Sequence, residues 1–109
     1  MANTFKNYAS GNTGTSAVTV YTCPGATQAT LIGMSLCNLT PSPITANVTI
    51  TLSAGTTYFM LKSANIPVGG ALVPIGGDQK LVLEAGDYID VQSSAASSID
   101  TILSVLEIS

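Results

Sequence analysis

The chain has 109 residues, of which 46% are hydrophobic and only 8% are charged, and its formal net charge is -3. This length suits one domain with a single core. With three basic residues in all, the chain cannot present the basic patch that neutralises phosphates, which excludes nucleic acid as a partner. With so little charge on so hydrophobic a chain, either something other than charge keeps it soluble or partners cover much of its surface.

The first sixteen residues, MANTFKNYASGNTGTS, are polar and alternate poorly. We therefore predict an extended N-terminal arm over residues 1–16 and a β-sandwich domain over residues 17–109. The aromatic residues of the arm are Phe5 and Tyr8, and these side chains could dock on the same domain or on a neighbour. The segment lacks the basic start and apolar run of a secretory signal. No later run of apolar residues is long enough to span a membrane, so we expect no membrane partner.

Alternation of apolar and polar residues then predicts a series of strands, in AVTVYT, ATLIGMSLCNL, ITANVTITL and YFMLK. In the second of these, Ile32, Met34 and Leu36 are expected on one face, with Cys37 on the other. Cys23 also falls opposite the clearest apolar row of its strand. We therefore expect both cysteines to be small surface or interface thiols rather than a disulfide in the core.

The stretch SANIPVGGALVPIGGDQ is broken by Pro and Gly, which predicts a looping connection between sheets with one short strand near Ala71. KLVLEAGDYIDV predicts two short strands joined as a hairpin around Ala85–Asp87. The last strand, TILSVLEI, has apolar residues on both faces, so it is expected to be central or covered by a neighbouring subunit. Its two faces carry Ile102, Leu106 and Ile108 on one side and Leu103 and Val105 on the other.

No stretch has helical periodicity, and short strands separated by turns at about ten-residue spacing predict an all-β fold, a single antiparallel β-sandwich or jelly-roll-like domain. If copies of this domain associate, we expect the contacts between subunits at the arm and the last strand. The residues predicted to form that interface are Phe5, Tyr8, Leu103 and Val105.

The composition argues against an enzyme, because the chain has no histidine and no arginine to supply the usual base or anion clamp. We expect no catalytic, metal or cofactor site and no cofactor. The acidic cluster of Asp78, Glu84, Asp87 and Asp90 is best explained as a solvated hairpin. A weak calcium site or a hydrolase that uses Glu84 and Asp87 are the alternatives.

The segments VTVYTCPGATQATLIGMSLCN, SANIPVGGALV, KLVLEAGDYIDV and SSIDTILSVLEIS resemble small virion structural proteins of tailed bacteriophages, including marine and cyanobacterial phages. The resemblance implies a non-enzymatic subunit, first of all a capsid decoration or cement protein of the virion, assembled in the host cytoplasm. The implied partners are further copies, with a trimer favoured, and the major capsid protein or other virion proteins. The alternative is a tail, neck or fibre-associated protein, including a receptor-binding module that would use Tyr21, Tyr58 and Tyr88.

Overall fold

The computed structural model describes residues 3–75 and 80–108, and that part of the chain forms two packed antiparallel sheets. The strands in chain order are β1 (Asn3–Thr13), β2 (Val18–Thr22), β3 (Gln28–Asn38), β4 (Ile44–Thr51), β5 (Thr57–Ile66), β6 (Ala71–Ile75), β7 (Leu81–Leu83), β8 (Tyr88–Ser93) and β9 (Ile99–Ile108). The predicted all-β sandwich is confirmed.

One sheet has five strands in the order β1-β9-β3-β6, with β7 paired to the other end of β3, and the second has the order β2-β8-β4-β5. The strand pairs are therefore nested along the chain. Each pair encloses the previous one in sequence, in the series β4–β5, β3–β6/β7, β2–β8 and β1–β9. Nested antiparallel pairs that alternate between two sheets are the arrangement of a jelly roll.

The core lies between the sheets and consists of the inward residues of both. Its largest fully buried side chains are aliphatic, among them Leu31, Leu36, Val48, Ile66, Ile75, Leu83, Ile89, Val91, Ile99, Leu103 and Val105. The predicted crossing after β5 is confirmed, because β5 belongs to the four-stranded sheet and β6 to the five-stranded one.

The KLVLEAGDYIDV segment is not a hairpin, which corrects the prediction. Strand β7 pairs with β3 in one sheet, and β8 pairs with β2 and β4 in the other. The turn between them therefore carries the chain across the sandwich. Gly86, at a φ of 90°, provides the left-handed conformation that this turn needs.

Two expectations about side-chain direction are also corrected. A register shift between Leu31 and Gly33 places a bulge in β3, so Met34 and Leu36 face the core while Ile32 is only half-buried. Cys23 is buried, and its thiol donates to the backbone oxygen of Thr27 at 3.3 Å. Cys37 is exposed as predicted, and both cysteines are free thiols.

The N-terminal segment lies on its own domain in this structure. Strand β1 pairs with β9 along the edge of the five-stranded sheet, from Asn3 opposite Ile108 to Ser10 opposite Thr101. The last strand β9 is consequently central, between β1 and β3.

Candidate functional site

Large apolar side chains are exposed on the outer face of the five-stranded sheet. Phe5 is 73% exposed, Val82 61% and Ile102 56%. The strand register places Phe5 opposite Leu106, Leu106 opposite Thr30, and Thr30 opposite Val82. These side chains form one row across four strands, because directly opposed residues point to the same face of a sheet.

The next outward pair along β1 and β9 is the polar pair of Asn7 and Ser104, and Ile102 lies beyond it. Val73, which is 65% exposed, adds an apolar side chain on β6. We call this surface, defined by Phe5, Val73, Val82, Ile102 and Leu106, the outer-sheet patch. Scattered exposed apolar residues are normal, but several large ones on one sheet face, here in two groups, mark a candidate contact surface. The outer-sheet patch is therefore the candidate interaction site.

The structure separates the four residues predicted to form an interface. Phe5 is on the outer-sheet patch, whereas Leu103 and Val105 are 1% and 0% exposed and lie in the core between the sheets. Neither of these two side chains can reach a partner while the domain is folded. The prediction is corrected at these positions, because the outward residues of the same strand are Ile102 and Leu106.

The fourth residue, Tyr8, belongs to a polar cluster around the carboxylate of Glu107, which is only 7% exposed. Lys6 Nζ lies 3.0 Å from Glu107 Oε1, and the Tyr21 hydroxyl donates to Glu107 Oε2 at 2.6 Å. The Tyr8 hydroxyl donates to the same oxygen at 3.5 Å. The rings of Tyr8 and Tyr21 meet at a centroid distance of 4.9 Å.

This tyrosine–carboxylate cluster joins three strands, since Lys6 and Tyr8 are on β1, Glu107 is on β9 and Tyr21 is on β2 of the opposite sheet. Hydrogen bonding by Tyr21, followed by Lys6, holds the pKa of Glu107 below its ordinary value despite burial. Burial and the adjacent carboxylate raise the pKa of Tyr21, so its hydroxyl stays a donor. The cluster fastens the edge strand to the sandwich and offers no reacting group.

The acidic residues of the KLVLEAGDYIDV segment do not form a common site. Asp87 is buried and accepts hydrogen bonds from the backbone N–H of Ser53 at 2.9 Å and of Glu84 at 3.0 Å. Asp90 accepts a hydrogen bond from the Thr19 hydroxyl at 2.6 Å. The interpretation as a wholly solvated acidic turn is thus wrong for Asp87, whose carboxylate connects two turns. Asp78 lies outside the described residues.

The other candidate sites also fail to assemble. Within residues 3–75 and 80–108, no group of three or more potential ligands could hold a metal ion. Tyr21 is buried against Glu107, Tyr58 is exposed on edge strand β5, and Tyr88 is half-buried on β8. The tyrosines proposed as receptor contacts therefore do not share a surface. In the same described part of the chain, no helix is long and apolar enough to cross a membrane.

The cluster around Glu107 was not predicted, although the sequence contains a signal for it. Glu107 continues the inward row of Ile99, Leu103 and Val105 along β9. A carboxylate in a row of core residues requires buried donors. The sequence did not identify those donors, because they come from strands β1 and β2 far away in the chain.

Comparison with known proteins gives a likeness in fold alone. No protein-family profile and no curated protein matches the sequence. Among solved structures, a protein from Bacillus endospore appendages, described as a family of disulfide-linked pili, is similar with a TM-score of 0.60 and 10% identity over 99% of this chain and 87% of that one. A chain of infectious bursal disease virus, Gt strain, has a TM-score of 0.48 and 9% identity over 97% of this chain and 32% of that one. The first likeness supports the fold, and the second carries no argument.

Proposed function

We propose that this chain is a non-enzymatic structural subunit of a virion, and within that class a capsid decoration or cement protein. The observation that carries the proposal is the outer-sheet patch on a chain in which only 8% of residues are charged. A surface of this kind is costly for a free monomer and favourable once a partner covers it.

The fold supports the same class of function. Jelly rolls are common among viral capsid domains, although they also occur in lectins and enzymes. The similar Bacillus protein comes from a pilus, which is another large protein assembly. The described acidic residues are used for hydrogen bonding within the fold or are separate from one another, which favours a structural role over hydrolysis.

Self-association is the part of this proposal that can be tested on the isolated protein. We propose that the outer-sheet patch contacts further copies, with a trimer favoured, and the major capsid protein or another virion protein. Sedimentation velocity of the wild type should show a concentration-dependent oligomer. I102S should shift the protein to monomer, because it replaces an exposed apolar side chain of the patch by a hydroxyl.

V68S is the matched control, since Val68 is 54% exposed but lies between β5 and β6, outside the patch. This variant should sediment as the wild type does. If the wild type is a monomer at all concentrations and does not bind capsids, or if both variants dissociate equally, the patch is not the interface.

The location on the particle is tested by cryo-electron microscopy of purified virions whose genome encodes this protein. A decoration protein should occupy many equivalent positions on the head, whereas a tail, neck or fibre protein should be confined to few positions on the particle axis. Absence from purified virions would contradict the proposed function.

A further inference from the structure

Strand β1 is attached to its domain almost entirely through its backbone and two side chains. Of its residues only Thr13 is buried, Tyr8 and Ser10 are half-buried, and the others are exposed. The side-chain attachments are the contacts of Lys6 and Tyr8 with Glu107 and Tyr21. An edge strand that contributes so little to the core can leave it at a small loss of apolar burial.

The chain is held much more firmly directly after this strand. The backbone oxygens of Thr13 and Gly14 accept hydrogen bonds from the N–H groups of Ser98 and Ser93, both at 2.9 Å. The oxygen of Thr15 accepts from the side chain of Gln92 at 2.8 Å. Residues 13–15 are therefore an anchor, and residues 3–10 are a separate segment in front of it.

Between the segment and the anchor, the pairing with β9 is interrupted. The register shifts between Ser10 and Thr13, which leaves Gly11 and Asn12 outside the regular ladder. Asn12 has a φ of 55°, the left-handed region that non-glycine residues rarely occupy. An irregular Gly-Asn step at this place is suited to act as a hinge.

We propose that residues 3–10 of β1 exchange between copies, so that the segment of one subunit pairs with β9 of a neighbour. Lys6 and Tyr8 then bind the neighbour's Glu107 and Tyr21, which reproduces every contact of the closed form. The exchange leaves no edge of β9 unpaired, because each β9 receives a segment from another copy. This inference rests on the proposed self-association and specifies how the subunits are joined.

The segment is long enough for this role. Its eight residues, from Asn3 to Ser10, span roughly 26 Å at about 3.3 Å per residue. The two shorter dimensions of the molecule are 26 and 22 Å. A segment that swings out at Gly11 and Asn12 therefore reaches across the width of an adjacent subunit.

A disulfide across the β1–β9 pair distinguishes exchange from the closed form. Ser10 and Thr101 are opposite each other on the face of β1 and β9 that is turned toward the core, and opposed residues in a sheet lie within disulfide range. Copies that touch only through their outer faces cannot form this disulfide between subunits. In the full chain with S10C, T101C and C37S, oxidised after self-association, exchange should give covalent multimers on a non-reducing gel. Covalent monomers alone would overturn the proposal.

The matched control is T45C with N65C and C37S, because Thr45 and Asn65 are opposed in the β4–β5 pair and are not in the exchanged segment. It should give monomers only. An equimolar mixture of S10C/C37S and T101C/C37S, brought together before assembly, should form a covalent dimer with exchange and none without it. This second measurement does not require both substitutions in one chain.

Failure of the exchange can be separated from failure of the proposed function. If the wild type sediments as an oligomer while the double-cysteine chain gives only covalent monomers, self-association stands and the exchange is refuted. If the wild type is a monomer that binds no capsid, the exchange and the function fail together.

Discussion

Replacement of Tyr21 by Phe tests the tyrosine–carboxylate cluster, because it removes one hydroxyl and keeps the ring that meets Tyr8. The lost hydrogen bond is short, at 2.6 Å, and its acceptor is a buried carboxylate. Removal of a hydrogen bond to a buried charged group costs about 1.5–3 kcal/mol. We expect Y21F to lower the free energy of unfolding by about 2 kcal/mol at pH 7, or roughly 10 °C in Tm.

The pH dependence of this loss identifies the acceptor. Because the folded state holds the pKa of Glu107 below its ordinary value of 4.5, its contribution to stability is present above that pH and lost as the pH falls through the folded pKa. Urea unfolding of wild type and Y21F should therefore differ by a constant amount above about pH 5. The difference should shrink in more acidic solution, where the carboxyl is neutral and its hydrogen bond weaker.

E107Q provides the control, because an amide oxygen can still accept from Tyr21 without carrying charge. In the E107Q background, Y21F should cost less than in the wild type and the cost should not vary between pH 3 and 7. A loss below about 0.5 kcal/mol for Y21F in the wild type, or one that persists unchanged at low pH, would show that the carboxylate is not dependent on this donor.

Three further predictions test the two faces of β9, the turn before β8 and the thiols. L103A should lower the unfolding free energy by about 2–5 kcal/mol in urea titrations, because Leu103 is in the core. I102A should change the unfolding free energy by less than about 0.5 kcal/mol and should weaken self-association in sedimentation. Equal losses of stability would contradict the assigned faces. D87N should cost about 1–3 kcal/mol by the same titration, because the amide has one acceptor oxygen and leaves the backbone N–H of Ser53 or Glu84 facing its NH2 group. No loss would refute the structural role of Asp87. Cys37 should react with a thiol reagent in the native protein, and Cys23 should react only after unfolding, because burial raises the pKa of Cys23. Rapid reaction of both thiols in the native protein would contradict the burial of Cys23.

The alternation of β9 was informative because it was regular over the whole strand. It separated Leu103 and Val105 from Ile102 and Leu106, and the structure retains that separation. The sequence could not show which row faces the core, since both rows are aliphatic. Glu107 belongs to the inner row, and its buried donors come from β1 and β2, so the alternation of β9 alone did not decide between the rows.

Other errors came from interactions between distant parts of the chain. The turn at Gly86 was predicted, but a turn looks the same locally whether its strands pair with each other or join different sheets. Asp87 is buried because its partner Ser53 follows β4, which no local pattern reveals. The bulge in β3 at Ile32 and Gly33 likewise results from pairing with β9 and interrupts an otherwise regular alternation.

The placement of the charges explains why a patch of this kind matters for so small a domain. Of the six acidic residues, Asp87 and Glu107 are buried and serve the fold. The surface is therefore even less charged than the composition indicates, and charge repulsion can do little to keep copies apart. Aliphatic and aromatic side chains occupy the outer face of the same sheet whose edge strand is the least buried. Coverage of that face by another subunit and exchange of that strand would therefore act on adjacent surfaces, each favouring the other.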